Sequence, residues 1–250
     1  MQKNEGILYI VSTPIGNLED ITYRAIKVLK EVDCIAAEDT RHTKKLLLHY
    51  DISKPMVSYH DFNKMKQAPL FIQRLLKGES IALVSDAGTP CVSDPGYRLI
   101  TMAIENNISI DPIPGPSAVL SALSISGLPT DRFVFEGYLD GRSSKRQNKL
   151  IKLEDESRTI IIFESPHRLK RSLEDILTIL GNRRVCVARE LTKINQEILN
   201  GNLEDILKII ESRDKVKGEV TIVIHGKEKT KKCRIKGTKY KSERDDMTDR

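Results

Sequence analysis

The stretch ALVSDAGTPCVSDPGYRL occupies residues 82–99 and joins an apolar run to two turns of small residues. The apolar run predicts a buried strand, and the segment 86–90 predicts the turn that ends it. Comparable pairs of an apolar run and a small-residue turn lie at 7–18 and 108–118. Gly and Ala after a strand let backbone N–H groups approach a ligand closely, which suits a cofactor with carboxylate and ribose groups. Each turn taken alone is also explained by Gly and Pro simply reversing the chain.

Strand-like and helix-like patterns alternate on both sides of this stretch, which predicts an α/β fold with largely parallel strand pairing. The predicted strands lie at 7–11, 34–37, 55–59, 80–85, 108–113, 132–137, 159–164, 184–188, 193–199 and 218–225. The predicted helices, the first with Thr22 as its N-cap, lie near 22–31, 41–50, 64–77, 96–106, 117–126, 143–154, 167–180 and 202–212. We divide the chain into an N-terminal α/β lobe (1–115), a C-terminal α/β lobe (116–227) and a basic, flexible tail (228–250).

The composition favours a folded protein outside the membrane, since 39% of the 250 residues are hydrophobic and 30% are charged. The longest apolar runs, such as 159–163, are far shorter than the ~20 residues that a membrane-spanning helix needs. The first ten residues lack the basic start and apolar run of a signal peptide, so we expect a cytoplasmic protein. The cysteines stand far apart without a CxxC or Cys/His pair, which predicts reduced thiols and no metal site: Cys34, Cys91, Cys186 and Cys233.

The net charge of +6 is unevenly distributed along the chain. Residues 227–250 contain ten Lys/Arg and five Asp/Glu, whereas the other 226 residues contain 31 basic and 30 acidic groups. Such a basic run is either a solvated, mobile end or an arm that binds a polyanion. A second basic cluster lies in a stretch without acids, and on its own it is also explained by a solvated helix face: Arg142, Lys145, Arg146, Lys149 and Lys152.

Residues 37–43, AEDTRHT, are denser in functional groups than a simple loop requires. Asp39 or Thr40 could simply cap the next helix. Alternatively, the carboxylates, guanidinium and imidazole combine proton transfer with phosphate contacts at the carboxyl end of a strand. The segments FESPHR at 163–168 and ARELTK at 188–193 also follow predicted strands. Neither GxGxxG nor GxxxxGK[ST] occurs, so ordinary dinucleotide and P-loop sites lose their main support.

Taken together, seven ordered segments resemble the ribosomal RNA small subunit methyltransferase I family, whose members 2′-O-methylate a cytidine of 16S rRNA in the decoding centre. The segments span residues 8–224 and are LYIVSTPIGNLEDIT (8–22), IAAEDTRHT (35–43), ALVSDAGTPCVSDPGYRL (82–99), PIPGPSAVLSALSISGLPTDRF (112–133), IIFESPHRL (161–169), ARELTK (188–193) and GEVTIVI (218–224).

The resemblance implies a tetrapyrrole-methylase-like fold, a homodimer, and S-adenosylmethionine in the cleft between two α/β lobes. It implies 16S rRNA of the small ribosomal subunit as the partner. It also implies a set of donor-binding residues in the turns described above and in the second lobe: Pro14, Gly16, Asp86, Ala87, Gly88, Thr89, Ser117, Ala118, Ala188 and Gly218. Members of the family usually continue with a small helical extension, and here the basic tail stands in its place.

The donor is a sulfonium, so the difficult task is to make a weakly acidic ribose 2′-hydroxyl nucleophilic. A positioned base typically contributes ~10²–10⁴-fold in rate, and orientation contributes ~7–11 kcal/mol in favourable cases. Our hypotheses for the group that acts on the acceptor hydroxyl are Asp39 and His42, and Lys193 is a less favoured candidate. Arg41 would contact a phosphate. The basic cluster at 142–152 would position the rRNA backbone without reading its sequence. An Asp39→Asn protein that binds the donor and methylates at the wild-type rate would remove Asp39 from the base role.

Two alternative functions remain at this stage. An enzyme of the same fold could methylate a small tetrapyrrole-type substrate, although the two basic segments argue against this. A non-catalytic RNA-binding ribosome-assembly factor would not need intact donor-binding turns.

We also hypothesise that the tail adds phosphate affinity through counterion release, so removing residues 228–250 should weaken RNA binding and flatten its salt dependence. Unchanged binding at every salt concentration would refute the tail hypothesis.

Overall fold

The computed structural model describes residues 6–228, and the first half of this range alternates strictly between strands and helices. The Thr22 side chain accepts a hydrogen bond from Ala25 N, which confirms the predicted N-cap. The elements of this half are β1 (Ile7–Val11), α1 (Tyr23–Glu31), β2 (Cys34–Ala37), α2 (Thr40–His49), β3 (Met56–Ser58), α3 (Lys64–Leu76), β4 (Ile81–Val84), α4 (Tyr97–Glu105), β5 (Ser109–Ile113) and α5 (Ala118–Ile125).

The first sheet is entirely parallel, in the strand order β3-β2-β4-β1-β5. All residues of β2 and β4 are buried, because successive side chains enter two separate apolar layers. Ile81 and Leu83 pack with residues of α3 and α4 on one face, whereas Ala82 and Val84 pack with residues of α1 and α2 on the other. Helices on both faces explain why these strands are uninterrupted apolar runs.

The second half builds another five-stranded sheet, in the order β6-β7-β10-β8-β9. The predicted strand from 193 begins only at Glu197, because residues 190–195 form turns in which Glu190 and Thr192 have positive φ angles of 51° and 64°. The elements are β6 (Phe133–Tyr138), α6 (Ser143–Ile151), β7 (Thr159–Glu164), α7 (Leu169–Leu180), β8 (Arg184–Arg189), β9 (Glu197–Asn202), α8 (Leu203–Glu211) and β10 (Val220–Ile224).

The expectation of largely parallel pairing is wrong for this second sheet, in which only β6 and β7 pair in parallel. β10 runs antiparallel to both β7 and β8, and β8 runs antiparallel to β9. The connection between β8 and β9 covers only residues 190–196, and so short a connection joins antiparallel neighbours, since a parallel crossover needs a dozen or more residues. Alternating helices and strands do not by themselves reveal this reversal.

The α5 helix follows the first sheet in sequence but packs on the second one. Its residues Val119, Ala122 and Leu123 share an apolar cluster with Ile161 of β7 and Val223 of β10. The α6, α7 and α8 helices cover the opposite face of the second sheet. The predicted α/β fold with two lobes is therefore confirmed, and the lobe division between residues 115 and 116 stays a prediction. Except for residue 228, the predicted tail at 228–250 lies outside the described residues.

Candidate active site

The three small-residue turns meet at one edge of the first sheet, because β1 lies between β4 and β5 and all three strands run in parallel. Thr13 N donates to Gly88 O at 2.9 Å, and Gly88 N donates to Thr13 O at 3.0 Å. The Thr89 hydroxyl donates to Pro116 O at 3.2 Å and accepts from the Ser12 hydroxyl at 3.2 Å. These bonds join the three turns into one floor at the carboxyl ends of the strands, where open α/β sheets bind ligands.

Two glycines make this close assembly possible. Gly88 has a φ of +79°, a conformation that residues with a side chain rarely adopt. A Cβ on Gly115 would lie 2.9 Å from the Ser12 Cβ, so any side chain there would push the first and third turns apart.

A cleft opens between this floor and the second sheet. Its first-lobe wall includes Ile15 and the loop 87–94, and its second-lobe wall includes Tyr138, Phe163 and Leu191. The structure brings six of the predicted donor residues into this cleft: Ala87, Gly88, Thr89, Ser117, Ala118 and Ala188.

The other predicted donor residues occupy neighbouring positions. Pro14, Gly16 and Asp86 line a side pocket that shares Ile15, Ala87 and Glu219 with the cleft. A Cβ on Gly16 would lie 2.8 Å from Leu191 O, so this glycine lets the two lobes approach each other.

Gly218 precedes the cleft residue Glu219, and its φ of +89° places its backbone against the side chain of Glu190. A Cβ at this position would lie 2.3 Å from the Glu190 carboxyl carbon, so the close packing requires glycine. Direct contacts of Pro14, Gly16, Asp86 and Gly218 with a donor stay predictions.

Lys193 lines the side pocket from the second lobe. Its ammonium donates to Glu190 Oε1 at 2.9 Å and to Glu219 Oε2 at 3.1 Å. In the same segment, the Thr192 hydroxyl accepts from Asn17 N at 3.0 Å. Both contacts of Lys193 are with carboxylates, and the hydrogen bonds and attraction to these carboxylates raise the lysine pKa despite partial burial. A cation held in this way is a weak proton acceptor, and it is the bond between Asn17 N and the Thr192 hydroxyl that joins the two lobes here.

Asp39 has the helix-capping role that the sequence left open. Its carboxylate accepts from Arg41 N at 2.8 Å and forms an ion pair with the Arg41 guanidinium at 2.7 Å. These hydrogen bonds hold the pKa of Asp39 far below its usual range. Arg41 keeps 89% of its side chain exposed, so it can reach a phosphate, while His42 lines the side pocket.

Sequence reasoning missed Asp94, Tyr138, Phe163 and Glu219 as residues of the cleft. Burial, together with repulsion from Glu38 and Asp86, raises the pKa of Asp94 to about 7. The segment 93–96 was visible as a second turn after β4, but only the fold shows that Asp94 lines the cleft. Tyr138 and Phe163 come from neighbouring strands of the second sheet, whose side-chain directions depend on the register.

The FESPHR segment has a structural role in the described fold. The Glu164 side chain is fully buried, and it accepts from Ser165 N at 2.7 Å, Arg168 Nε at 2.9 Å and Ser172 Oγ at 2.5 Å. These hydrogen bonds fix the start of α7 against the end of β7, since a buried polar group needs such partners.

The basic cluster is only partly available to RNA. Arg146 is buried and pairs with Asp175 at 2.6 Å, and Lys149 pairs with Glu136 at 3.3 Å. The expectation that all five cations face rRNA is therefore wrong, because the α6 helix turns two of them toward its neighbours. Arg142, Lys145 and Lys152 are exposed.

Within residues 6–228, no group of three or more His, Cys, Asp or Glu side chains is arranged to hold a metal ion. Across the same residues, no helix combines the length and the apolar character needed to cross a membrane. Cys34, Cys91 and Cys186 are free thiols, and Cys233 lies outside the described part of the chain.

Comparison with known proteins identifies the class. The family profile described as "Tetrapyrrole (Corrin/Porphyrin) Methylases" matches residues 7–207. This match covers both sheets up to the α8 helix, including every wall of the cleft except the β10 side. The chain belongs to the tetrapyrrole methylase family, and it is an S-adenosylmethionine-dependent methyltransferase.

Curated relatives within this class share one name. The chain is 50% identical over 223 residues to "Ribosomal RNA small subunit methyltransferase I" of Halalkalibacterium halodurans, a match that covers 89% of this chain and 77% of the relative. It is 51% identical to the protein of that name from Vibrio cholerae, over 88% of this chain and 77% of the relative. For the Thermotoga maritima protein of that name the identity is 48%, over 89% of this chain and 100% of the relative.

Solved structures agree on the fold. The chain superposes on a diphthine synthase with a TM-score of 0.67 at 16% identity, covering 88% of this chain and 90% of that one. It superposes on a cobalt precorrin-4 methyltransferase with a TM-score of 0.65 at 17% identity, covering 88% and 94%. Both similarities concern the two-lobed architecture alone.

The chemistry of the cleft fits an S-adenosylmethionine donor. The space that a Cβ on Gly88 would occupy borders the cleft, so a ligand can approach the backbone there. Phe163 and Leu191 offer apolar contacts suited to a purine, and Thr89 and Ser117 offer hydroxyls. Asp94 and Glu219 supply negative charge in a cleft that would receive a sulfonium cation.

Proposed function

We propose that this protein transfers a methyl group from S-adenosylmethionine to the 2′-hydroxyl of a cytidine in 16S rRNA, at the decoding centre of the small ribosomal subunit. The observation that carries the proposal is the interlobe cleft, in which six of the implied donor residues meet within a chain about 50% identical to proteins named for small-subunit rRNA methylation. The protein acts as a homodimer in the cytoplasm in this proposal.

The chain's own contribution is binding and orientation. S-adenosylmethionine supplies a methyl group that is already activated by the sulfonium. The joined turns hold the donor side, and the second-lobe wall at Phe163, Ala188 and Leu191 keeps water from the reacting atoms. Pro14, Gly16, Asp86 and Gly218 shape the edges of this donor site from the side pocket and the second lobe.

The acceptor strand lies along the exposed cations in this proposal. Arg142, Lys145 and Lys152 contact the rRNA backbone, and Arg41, fixed by Asp39, contacts a phosphate near the side pocket. His42 is adjacent to Arg41 and can add a hydrogen bond to the same strand. Such contacts hold the substrate in register without reading its sequence.

A tetrapyrrole-type substrate remains the competing candidate within the fold. The cobalt precorrin-4 methyltransferase of similar fold is named for such a compound, but its identity of 17% bears on the architecture alone. The non-catalytic alternative is set aside, since the chain belongs to a family of methylases.

The test offers both acceptors to the purified protein with methyl-labelled S-adenosylmethionine. Small ribosomal subunits that lack the modification should become labelled, whereas a tetrapyrrole precursor should not. A parallel titration measures donor binding directly. Transfer to the tetrapyrrole but not to the subunits would contradict the proposed acceptor, and an absence of donor binding would contradict the assigned cleft.

A further inference from the structure

Asp94 lies at the junction of two cavities. It lines the donor cleft between the lobes, and it also lines an outer groove formed by the starts of α3 and α4. Among the described residues that line this outer groove are Asp61, Lys64, Met65, Tyr97, Arg98 and Thr101. Among the described residues, Asp94 is the one that the two linings share.

The outer groove has the chemistry of a site for one unstacked nucleotide. Tyr97 is 80% exposed and Met65 is 63% exposed, so flat apolar surface is available beside the groove. Unpaired RNA bases stack on such aromatic rings, and cations hold the attached phosphates. Two cations line the groove alongside the carboxylates of Asp94 and Glu105. Lys64 is already paired with Asp61 at 2.8 Å, whereas within residues 6–228 the buried Nε of Arg98 has no hydrogen-bond partner, so Arg98 is the cation available to a phosphate.

The loop that carries Asp94 is held firmly in place. A Cβ on Gly96 would lie 2.1 Å from Cys91 Sγ and 3.1 Å from the Leu83 side chain, so the loop packs directly on the first sheet. Across the cleft, a Cβ on Gly137 of β6 would lie 3.2 Å from Ser93 Oγ. The loop that carries Asp94 is thus packed against both lobes, and a well-held segment is what the positioning of a reacting group requires.

We propose that the outer groove receives the target nucleotide and that Asp94 is the general base that accepts the proton of its 2′-hydroxyl. This inference rests on the proposed rRNA 2′-O-methylation. In the step, the 2′-oxygen forms a bond to the methyl carbon as the bond between sulfur and that carbon breaks. The proton passes to the Asp94 carboxylate, the sulfonium becomes a neutral thioether, and Asp94 later releases the proton to water.

The surroundings of Asp94 suit this role better than those of Asp39. Burial raises the pKa of Asp94 to about 7, repulsion from Glu38 and Asp86 adds to the effect, and the Ser85 hydroxyl opposes it. The neighbouring Tyr138 and Cys91 have pKa values raised by burial and by Asp94 itself, so both stay neutral near pH 7. A base with a pKa near the working pH is the most effective one, whereas the ion pair with Arg41 makes Asp39 a much weaker base.

The experiment measures single-turnover methylation of unmodified small ribosomal subunits at saturating S-adenosylmethionine, at pH values on both sides of 7. The wild-type rate should rise with pH and level off above the Asp94 pKa of about 7. Asp94→Asn should lower the plateau rate by ~10²–10⁴-fold and remove the inflection. Asp94→Glu keeps a carboxylate and should restore part of the rate together with an inflection.

Two comparison variants separate this role from others. Asp39→Asn should weaken the interaction with subunits but keep the inflection near pH 7, because Asp94 is intact. Asp111→Asn, which removes an ion pair with Arg24 at 2.6 Å and lines neither cavity, should keep both rate and profile.

A wild-type rate without an inflection, or an Asp94→Asn protein with the wild-type rate and profile, would overturn the assignment. If Asp94→Asn does not fold, the pH–rate profiles of the wild type and of Asp94→Glu still test the assignment. If neither profile shows an inflection, the Asp94 carboxyl is not the general base. Wild-type protein that binds the donor but never labels subunits would overturn the proposed function itself. If the wild type labels subunits and substitution of Asp94 changes neither the rate nor the pH profile, this inference alone is overturned.

Discussion

At the scale of single residues, Asp94 carries a charge that the folded state disfavours. Its pKa of about 7 lies above the value of 3.8 expected for an unfolded aspartate, so between these pH values the folded protein binds more protons. The contribution of Asp94 to stability is therefore fully present at low pH and is lost as the pH rises toward 7. Asp94→Asn should thus raise the melting temperature more at pH 8 than at pH 4, by roughly 2–4 °C for each kcal/mol recovered. An equal shift at both pH values in thermal melts without donor would contradict this.

Glu164 is a buried carboxylate that accepts hydrogen bonds from Ser165 N, Arg168 and Ser172. Glu164→Ala would leave Arg168 and the Ser172 hydroxyl without their partner, so the free energy of unfolding should fall by about 3–5 kcal/mol. Glu31→Ala is the matched control, since it removes an exposed pair with Lys27 and should cost less than about 1 kcal/mol. Urea unfolding of both variants checks the difference. Equal losses would mean that the Glu164 network does not stabilise the second lobe.

At the scale of elements, the donor site depends on three turns joined by the Thr89 hydroxyl. Thr89→Val removes the bonds to Ser12 and Pro116 while keeping the size of the side chain. Because one such bond contributes about 0.5–1.5 kcal/mol, the affinity for S-adenosylmethionine should fall roughly two- to tenfold. Thr178→Val is the control, since that hydroxyl bonds only to Glu174 O within α7. Titration calorimetry compares the two variants, and identical donor affinities would show that the hydroxyl does not organise the turns.

The elements themselves could largely be predicted from periodicity. Each predicted helix and strand occurs in the described chain, because apolar runs and turn residues mark strand ends locally. The start of β9 could not be found in this way, since the turns at 190–195 rely on positive φ angles at Glu190 and Thr192, which are not glycines. The strand β10 was predicted, but its antiparallel direction was not, because strand direction is decided by packing between distant parts of the chain.

In the candidate site, too, local sequence patterns located some residues, whereas others depend on tertiary packing. The turns at 86–89 and 117–118 could be located because their small residues follow apolar strands. Asp94 and Tyr138 could not be assigned, since their meeting in one cleft depends on how loop 91–96 packs against β6. The burial of Arg146 likewise depends on the orientation of α6 against Asp175, which a run of cations does not reveal.

At the scale of the whole molecule, the exposed cations of α6 set the electrostatic attraction to RNA. Replacing Arg142, Lys145 and Lys152 with Ala should weaken binding to small-subunit rRNA and reduce the salt slope by roughly 0.7–0.9 for each phosphate that is no longer neutralised. Replacing the exposed Lys27, Lys30 and Lys77 of the first lobe removes the same charge and should change the slope less. Filter binding across a salt series gives both slopes. Equal slopes for the two triple variants would mean that α6 has no special place in RNA binding.

The most direct test of the whole account asks which atom of the RNA receives the methyl group. Purified protein, methyl-labelled S-adenosylmethionine and unmodified small subunits are incubated, and the rRNA is then cleaved with alkali, which acts through a free 2′-hydroxyl. The account predicts a labelled, alkali-resistant dinucleotide that begins with cytidine. Label in mononucleotides would mean methylation of a base, and no label despite donor binding would mean a different acceptor; either result would contradict 2′-O-methylation of rRNA.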